Sequence, residues 1–125
     1  MIMKTKSSNR LLASLTKAEL DKLLKNYEVN NTLIEQGLYP KNLKPVVKFF
    51  NPTGIGTWYL TELSPSGIGF GICHLHEIDL GYVCLDELAA LRFKGGLGIE
   101  KDRYFSGKGL TLESLLEKLN EGKHF

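Results

Sequence analysis

Val46-Val47-Lys48-Phe49-Phe50, Thr57-Trp58-Tyr59-Leu60-Thr61-Glu62-Leu63 and Ile68-Gly69-Phe70-Gly71-Ile72-Cys73-His74-Leu75 follow one another with only short breaks between them. Each run is rich in β-branched and aromatic residues, and the breaks Asn51-Pro52-Thr53-Gly54 and Ser64-Pro65-Ser66-Gly67 carry tight-turn chemistry. Strands joined by turns this short pair antiparallel. With Gly81-Tyr82-Val83-Cys84 as a short fourth strand, the stretch predicts a meander, the economical path through such a sheet.

Helices flank this block on both sides. Leu15-Thr16-Lys17-Ala18-Glu19-Leu20 has the form of a capping box with a hydrophobic staple, and Leu20, Leu23, Leu24 and Tyr27 recur at helical spacing. A helix of about three turns should follow Thr16, with a further turn begun at Thr32-Leu33-Ile34-Glu35 and ended by Gly37 and Pro40. Asp86-Glu87-Leu88-Ala89-Ala90-Leu91-Arg92 places acids at the start of a short helix and a cation at its end, and Gly95-Gly96 stops it. Thr111 caps a last amphipathic helix that buries Leu112, Leu115, Leu116 and Leu119. The expected fold is therefore α+β: an antiparallel sheet of three to five strands packed with an N-terminal helix, a short helix after the fourth strand and a C-terminal helix.

The 125 residues fit one domain, with 42% apolar and 24% charged residues, so the chain can bury a globular core. Residues 1–10 lack periodicity and read as a flexible terminus, leaving 11–125 as the single domain. No apolar run is long enough to span a bilayer, and Met1-Ile2-Met3-Lys4 runs into polar Ser7-Ser8-Asn9-Arg10 rather than a secretory segment. Only Cys73 and Cys84 are present, which suits free thiols in a cytoplasmic protein with no membrane partner. The net charge of +2 conceals asymmetry: residues 1–48 hold nine Lys/Arg against four Asp/Glu, and residues 49–125 hold seven against ten. A basic head of this kind can serve an anionic partner or merely solvate a helix face.

Few residues suggest chemistry. His74 and His76, two apart on the expected third strand, would project from one face as two imidazoles can toward a metal, but no third ligand offers itself and ordinary half-exposed histidines account for them equally. Cys73 and Cys84 have no neighbouring base in sequence and read as structural thiols. Gly54-Ile55-Gly56, Gly67-Ile68-Gly69-Phe70-Gly71 and Gly95-Gly96-Leu97-Gly98 lack the Gly-Lys-Ser/Thr ending of a phosphate loop, so turn and bulge duty explains them. The carboxylates of Glu62, Asp79, Glu87, Glu100 and Asp102 fall near element ends, where they could converge on a cation or on a basic partner. Trp58, Tyr59, Arg103, Tyr104 and Phe105 mix aromatic and basic character as single-strand binders do, though a core tryptophan is the ordinary reading of Trp58.

Thr57-Trp58-Tyr59-Leu60-Thr61-Glu62, Phe70-Gly71, Asp79-Leu80-Gly81-Tyr82-Val83-Cys84-Leu85-Asp86-Glu87-Leu88 and Gly98-Ile99-Glu100-Lys101-Asp102-Arg103-Tyr104-Phe105 occur in this order over residues 43–119. In these motifs the chain resembles the bacterial domain-of-unknown-function family DUF2958. The family's tryptophan and Thr-Glu pair fall on Trp58, Thr61 and Glu62, its acid-Leu-Gly-Tyr run on Asp79 to Tyr82, and its Glu-Arg-Asp on Glu100, Lys101 and Asp102. Two positions depart from the pattern. Cys84 stands where a serine would cap the following helix, and Lys101 puts a point charge in place of a planar bidentate donor.

The resemblance implies a short protein often encoded on plasmids and integrated mobile elements, and it brings no reaction or cofactor with it. A non-enzymatic accessory protein is the expectation, binding a protein or nucleic acid through an edge formed by Trp58, Glu62, Asp79, Tyr82, Glu100, Asp102 and Arg103, with counter-defence against host nucleases as a role by analogy. Two other readings remain open. One is a metal-dependent hydrolase or nuclease using the same carboxylates with His74 or His76. The other is nucleic-acid binding through the basic N-terminal segment.

Overall fold

Seven-residue stretches from Thr57 to Leu63, Ile68 to His74 and Ile78 to Cys84 form the strands β2, β3 and β4, and Val47–Phe50 forms β1. In the computed structural model, which describes residues 9–125, they pair antiparallel in chain order as the meander expected from sequence. A two-residue strand, β5 (Glu100–Lys101), joins the outer side of β1, giving the order β4-β3-β2-β1-β5. The helices are α1 (Arg10–Ser14), α2 (Lys17–Glu35), α3 (Leu85–Ala90) and α4 (Leu112–Asn120). Of the terminus expected to be flexible, residues 1–10, Asn9 is buried and caps α1 and Arg10 opens that helix, while residues 1–8 lie outside the described residues.

Alternation along the strands splits the core between two faces. On one face Val47, Phe49, Trp58, Leu60 and Leu63 pack with Leu11 and Leu12 of α1, Leu23 of α2, and Leu85 and Leu88 of α3. On the other, Tyr59 and Ile72 pack with Leu112, Leu115 and Leu119 of α4. Helices on both sides bury β2 almost entirely, which is why its sequence shows little polar alternation.

The capping box at Thr16 and Glu19 forms as expected, but α2 continues without a break to Glu35. Its length has a structural reason. β1 ends opposite Leu60, where the Val46 amide donates to the Leu60 carbonyl, so β2 from Thr61 onward has no strand on that side. Thr61 is also the extra residue of a bulge against β3. The second half of α2 lies along this open stretch, and Asn26 Nδ2 donates to the Thr61 carbonyl at 2.9 Å. A buried carbonyl that would lack a ladder partner is thereby satisfied.

β3 ends at His74 and the chain reverses over residues 75–77, so His76 lies in the turn rather than on the strand. The two imidazoles therefore do not share a strand face. Cys84 caps α3 without a side-chain hydrogen bond, as the loss of a serine implies, while Arg92 Nη1 donates to the carbonyls of Ala89 and Leu91 at 2.9 and 2.7 Å at the far end. Gly71 is required by space: a Cβ there would stand 1.8 Å from the Tyr59 carbonyl oxygen.

Candidate functional site

The structure separates the residues that the sequence suggested as one edge. Trp58 is 6% exposed and belongs to the core. Asp79 is exposed on β4, where it pairs with Cys73 on the face opposite Tyr82. Glu100 lies on β5, while Asp102 and Arg103 follow it. β4 and β5 are the two borders of the sheet, roughly 19 Å apart at about 4.8 Å per strand, so Asp79 cannot share a site with Glu100 or Asp102. Among the described residues, no three His, Cys, Asp or Glu side chains come together as metal ligands would.

The groups around β5 hold the fold together. Lys101 Nζ donates to Glu19 Oε1 at 2.6 Å and to the Ser14 carbonyl at 3.0 Å, tying the strand to the end of α1 and the start of α2. Burial pushes the Glu19 carboxyl up, but the Lys101 ammonium and the Thr16 amide outweigh it and hold the group below the usual carboxylate value. Asp102 stands 3.5 Å from Lys48 and accepts from the Tyr104 amide at 2.9 Å. Arg103 lies over the Tyr104 ring. The Tyr59 hydroxyl, buried and near Asp102, is pushed up to about 12 and stays protonated.

Glu62 and Tyr82 do meet. Glu62 pairs with Phe70 on β3, and Phe70 pairs with Tyr82 on β4, so alternation brings the three side chains onto one face in a row. The Phe70 and Tyr82 rings stand 5.0 Å apart at 52°, a tilted aromatic pair. Together with Tyr27, Asn31 and Ile34 of α2 and the turn serines Ser64 and Ser66, they line a cleft of about 310 Å³. Tyr82 is 73% exposed, so the cleft opens at the β4 side.

Asn30, 2% exposed, fixes the carboxylate from behind. Its Nδ2 donates to Glu62 Oε2 at 2.8 Å and to the Lys41 carbonyl at 3.1 Å, while its Oδ1 accepts from the Lys41 amide at 2.8 Å. Burial raises the Glu62 carboxyl above its ordinary value, and the Asn30 hydrogen bond only partly offsets this. Among the described residues, no ammonium or guanidinium lines the cleft. A half-desolvated negative group thus sits among aromatic rings with an amide, but no cation, beside it.

The family described as "Protein of unknown function (DUF2958)" has a model that matches residues 14–120. The chain belongs to the DUF2958 family. The match begins ahead of α2 and so takes in the helix that the sequence motifs over residues 43–119 leave out. No curated protein and no solved structure matches this DUF2958 chain.

For a DUF2958 protein the informative positions include several that motif reading passes over. Asn26 and Asn30 stand three and seven residues after Leu23, on the stripe that faces the core, and polar residues there signal a partner inside the molecule. Phe70 was legible as strand but not as half of an aromatic pair. Burial raises the Cys73 thiol, with the nearby Asp79 carboxylate adding to it, which leaves that thiol unsuited to nucleophilic work at neutral pH. Among the described residues, no helix is long and apolar enough to cross a membrane.

Proposed function

We propose that this DUF2958 protein is a non-enzymatic interaction protein that binds a protein partner by taking a cationic side chain, lysine or arginine, into the cleft between α2 and β2–β4. The observation that carries this is the half-buried Glu62 carboxylate in one row with the Phe70–Tyr82 pair, in a cleft that no cation lines among the described residues. Aromatic faces attract a cation, and a carboxylate at the base of the same cleft supplies its counter-charge. Among the described residues the cleft has no positive group to meet a phosphate, so a protein partner suits it better than a nucleic-acid backbone. An accessory role on a mobile genetic element, counter-defence included, is consistent with a binding protein and belongs to the proposal, as does cytoplasmic residence.

Calorimetric titration with short synthetic peptides tests the reading. An arginine- or lysine-bearing peptide should bind the wild type, and its neutral and acidic counterparts should not. Glu62→Gln should weaken binding at least tenfold while Asn30 keeps an acceptor in place. Equal affinity for acidic and basic peptides, or an unchanged affinity in Glu62→Gln, would remove Glu62 from the function.

A second reading rests on a different feature. Lys22 and Lys44 flank Phe105 around a cavity of about 260 Å³ on another part of the surface, a combination able to hold a phosphate and stack a base. Nucleic-acid binding there predicts an affinity that falls steeply with salt and is lost in Lys22→Ala/Lys44→Ala. Glu62, Asp79 and Glu100 lie on three different strands, and among the described residues no cluster of metal-ligating side chains supports the hydrolase alternative.

A further inference from the structure

The two borders of the sheet differ in how they end. β5 is two residues long and is followed by Asp102 and Arg103, and Lys101 ties it to α1 and α2. Short, charged and covered edges are the ordinary ways in which a sheet avoids adding strands. Among the described residues, β4 is neither short nor tied down by an ion pair. It runs for seven residues, Ile78–Cys84, without a lysine, arginine, proline or bulge, and Asp79 is its one charge. Two large apolar side chains project from its middle on one face, Leu80 at 47% and Tyr82 at 73% exposure.

We infer that β4 pairs antiparallel with β4 of a second copy of this chain, about a two-fold axis at Gly81. The inference stands apart from the cationic-cleft reading, since it uses the backbone edge. In this register Leu80 lies opposite Tyr82 of the second copy and Tyr82 opposite its Leu80, all on one face, so the exposed apolar side chains cover each other. Asp79 lies opposite Val83 of the second copy, and the two Asp79 carboxylates stand roughly 14 Å apart along the ladder, so no like charges face. A shift by one residue would put Leu80 and Tyr82 on the wrong face, and among the shifts that keep the face, the axis at Gly81 is the one that sets each Leu80 against a Tyr82. A second copy is favoured over an unrelated strand because the pattern is self-complementary about its own centre. The guarded β5 then limits assembly to a closed pair with a ten-stranded sheet rather than an open fibre. Leu80 of the second copy would complete the rim of the cleft beside Tyr82.

Sedimentation of the full chain at micromolar concentrations tests this with two charge variants. The wild type should sediment as a dimer. L80E/Y82E sets glutamate against glutamate and should be monomeric, as should L80K/Y82K, while an equimolar mixture of the two should recover the dimer because each glutamate then faces a lysine. Dimer formation in the mixture also shows that both variants fold. A wild type that stays monomeric at all these concentrations, variants that remain dimeric alone, or a mixture that fails to pair although each variant keeps a native circular dichroism spectrum would each overturn the inference. So would protection of β4 amides from hydrogen exchange by a foreign extended peptide in a monomeric wild type.

Discussion

The sheet has two borders made from the same polypeptide under the same physical rules, and one is closed while the other is open. At β5 two charged groups have partners inside the molecule: Lys101 with Glu19 and Ser14, Asp102 with Lys48 and the Tyr104 amide. At β4 Asp79, Leu80 and Tyr82 are exposed, and Tyr82 lines one side of a cleft. Charge alone is thus a poor guide to role here. Lys101 and Asp102 serve the fold, whereas Glu62 of β2, equally charged, is the residue on which the proposed cleft rests, beside the nearly uncharged β4.

The comparison depends first on the frame that holds the borders apart. Gly71 lies against the Tyr59 carbonyl with no room for a side chain, so Gly71→Ala should cost more than about 4 kcal/mol or abolish folding, as circular dichroism of the purified variant would show. Next comes the stretch of β2 that α2 seals. Asn30→Ala leaves the Lys41 amide and carbonyl without partners and should cost about 2–3 kcal/mol by urea denaturation.

Lys101→Met tests whether the β5 border is closed by charge. It should cost about 2 kcal/mol at neutral pH, since Lys101 is well buried and Glu19 would lose its cation. The Glu19 carboxyl is held below its usual value, so its contribution is present above the unfolded carboxylate pKa of about 4.3 and is lost as pH falls through the lower folded value. The gap between wild type and variant should therefore narrow in acid. At β4, Asp79→Asn should change stability by less than about 0.5 kcal/mol, yet it should lower the pKa of the Cys73 thiol and raise its alkylation rate.

The first three strands, turn chemistry, the capping box at Thr16, the cap at Thr111 and the antiparallel order were legible, because each depends on residues close in sequence, while β4, expected over Gly81–Cys84, begins three residues earlier at Ile78. β5 was not, since two residues carry no period and pair only because β1 offers an edge. The unbroken α2 was missed for a related reason: Asn26 and Asn30 interrupt its apolar stripe, and their partners Thr61, Glu62 and Lys41 lie well outside the helix. Of the residues proposed as one site, Glu62 and Tyr82 meet because β2, β3 and β4 are consecutive and in register. Asp79 and Glu100 stand at opposite borders, a separation fixed by strand order, which residue types do not reveal.

The Glu62 carboxyl itself gives the most direct test, followed by carbon-13 NMR through a pH titration of the protein alone and then with a saturating arginine-bearing peptide. Unliganded, it should titrate above the usual glutamate value, so that wild-type stability falls as pH rises through that range while Glu62→Gln is spared the loss. With the peptide bound, a guanidinium beside the carboxylate should bring the midpoint down. A midpoint that does not move when the peptide is present would contradict the cationic cleft.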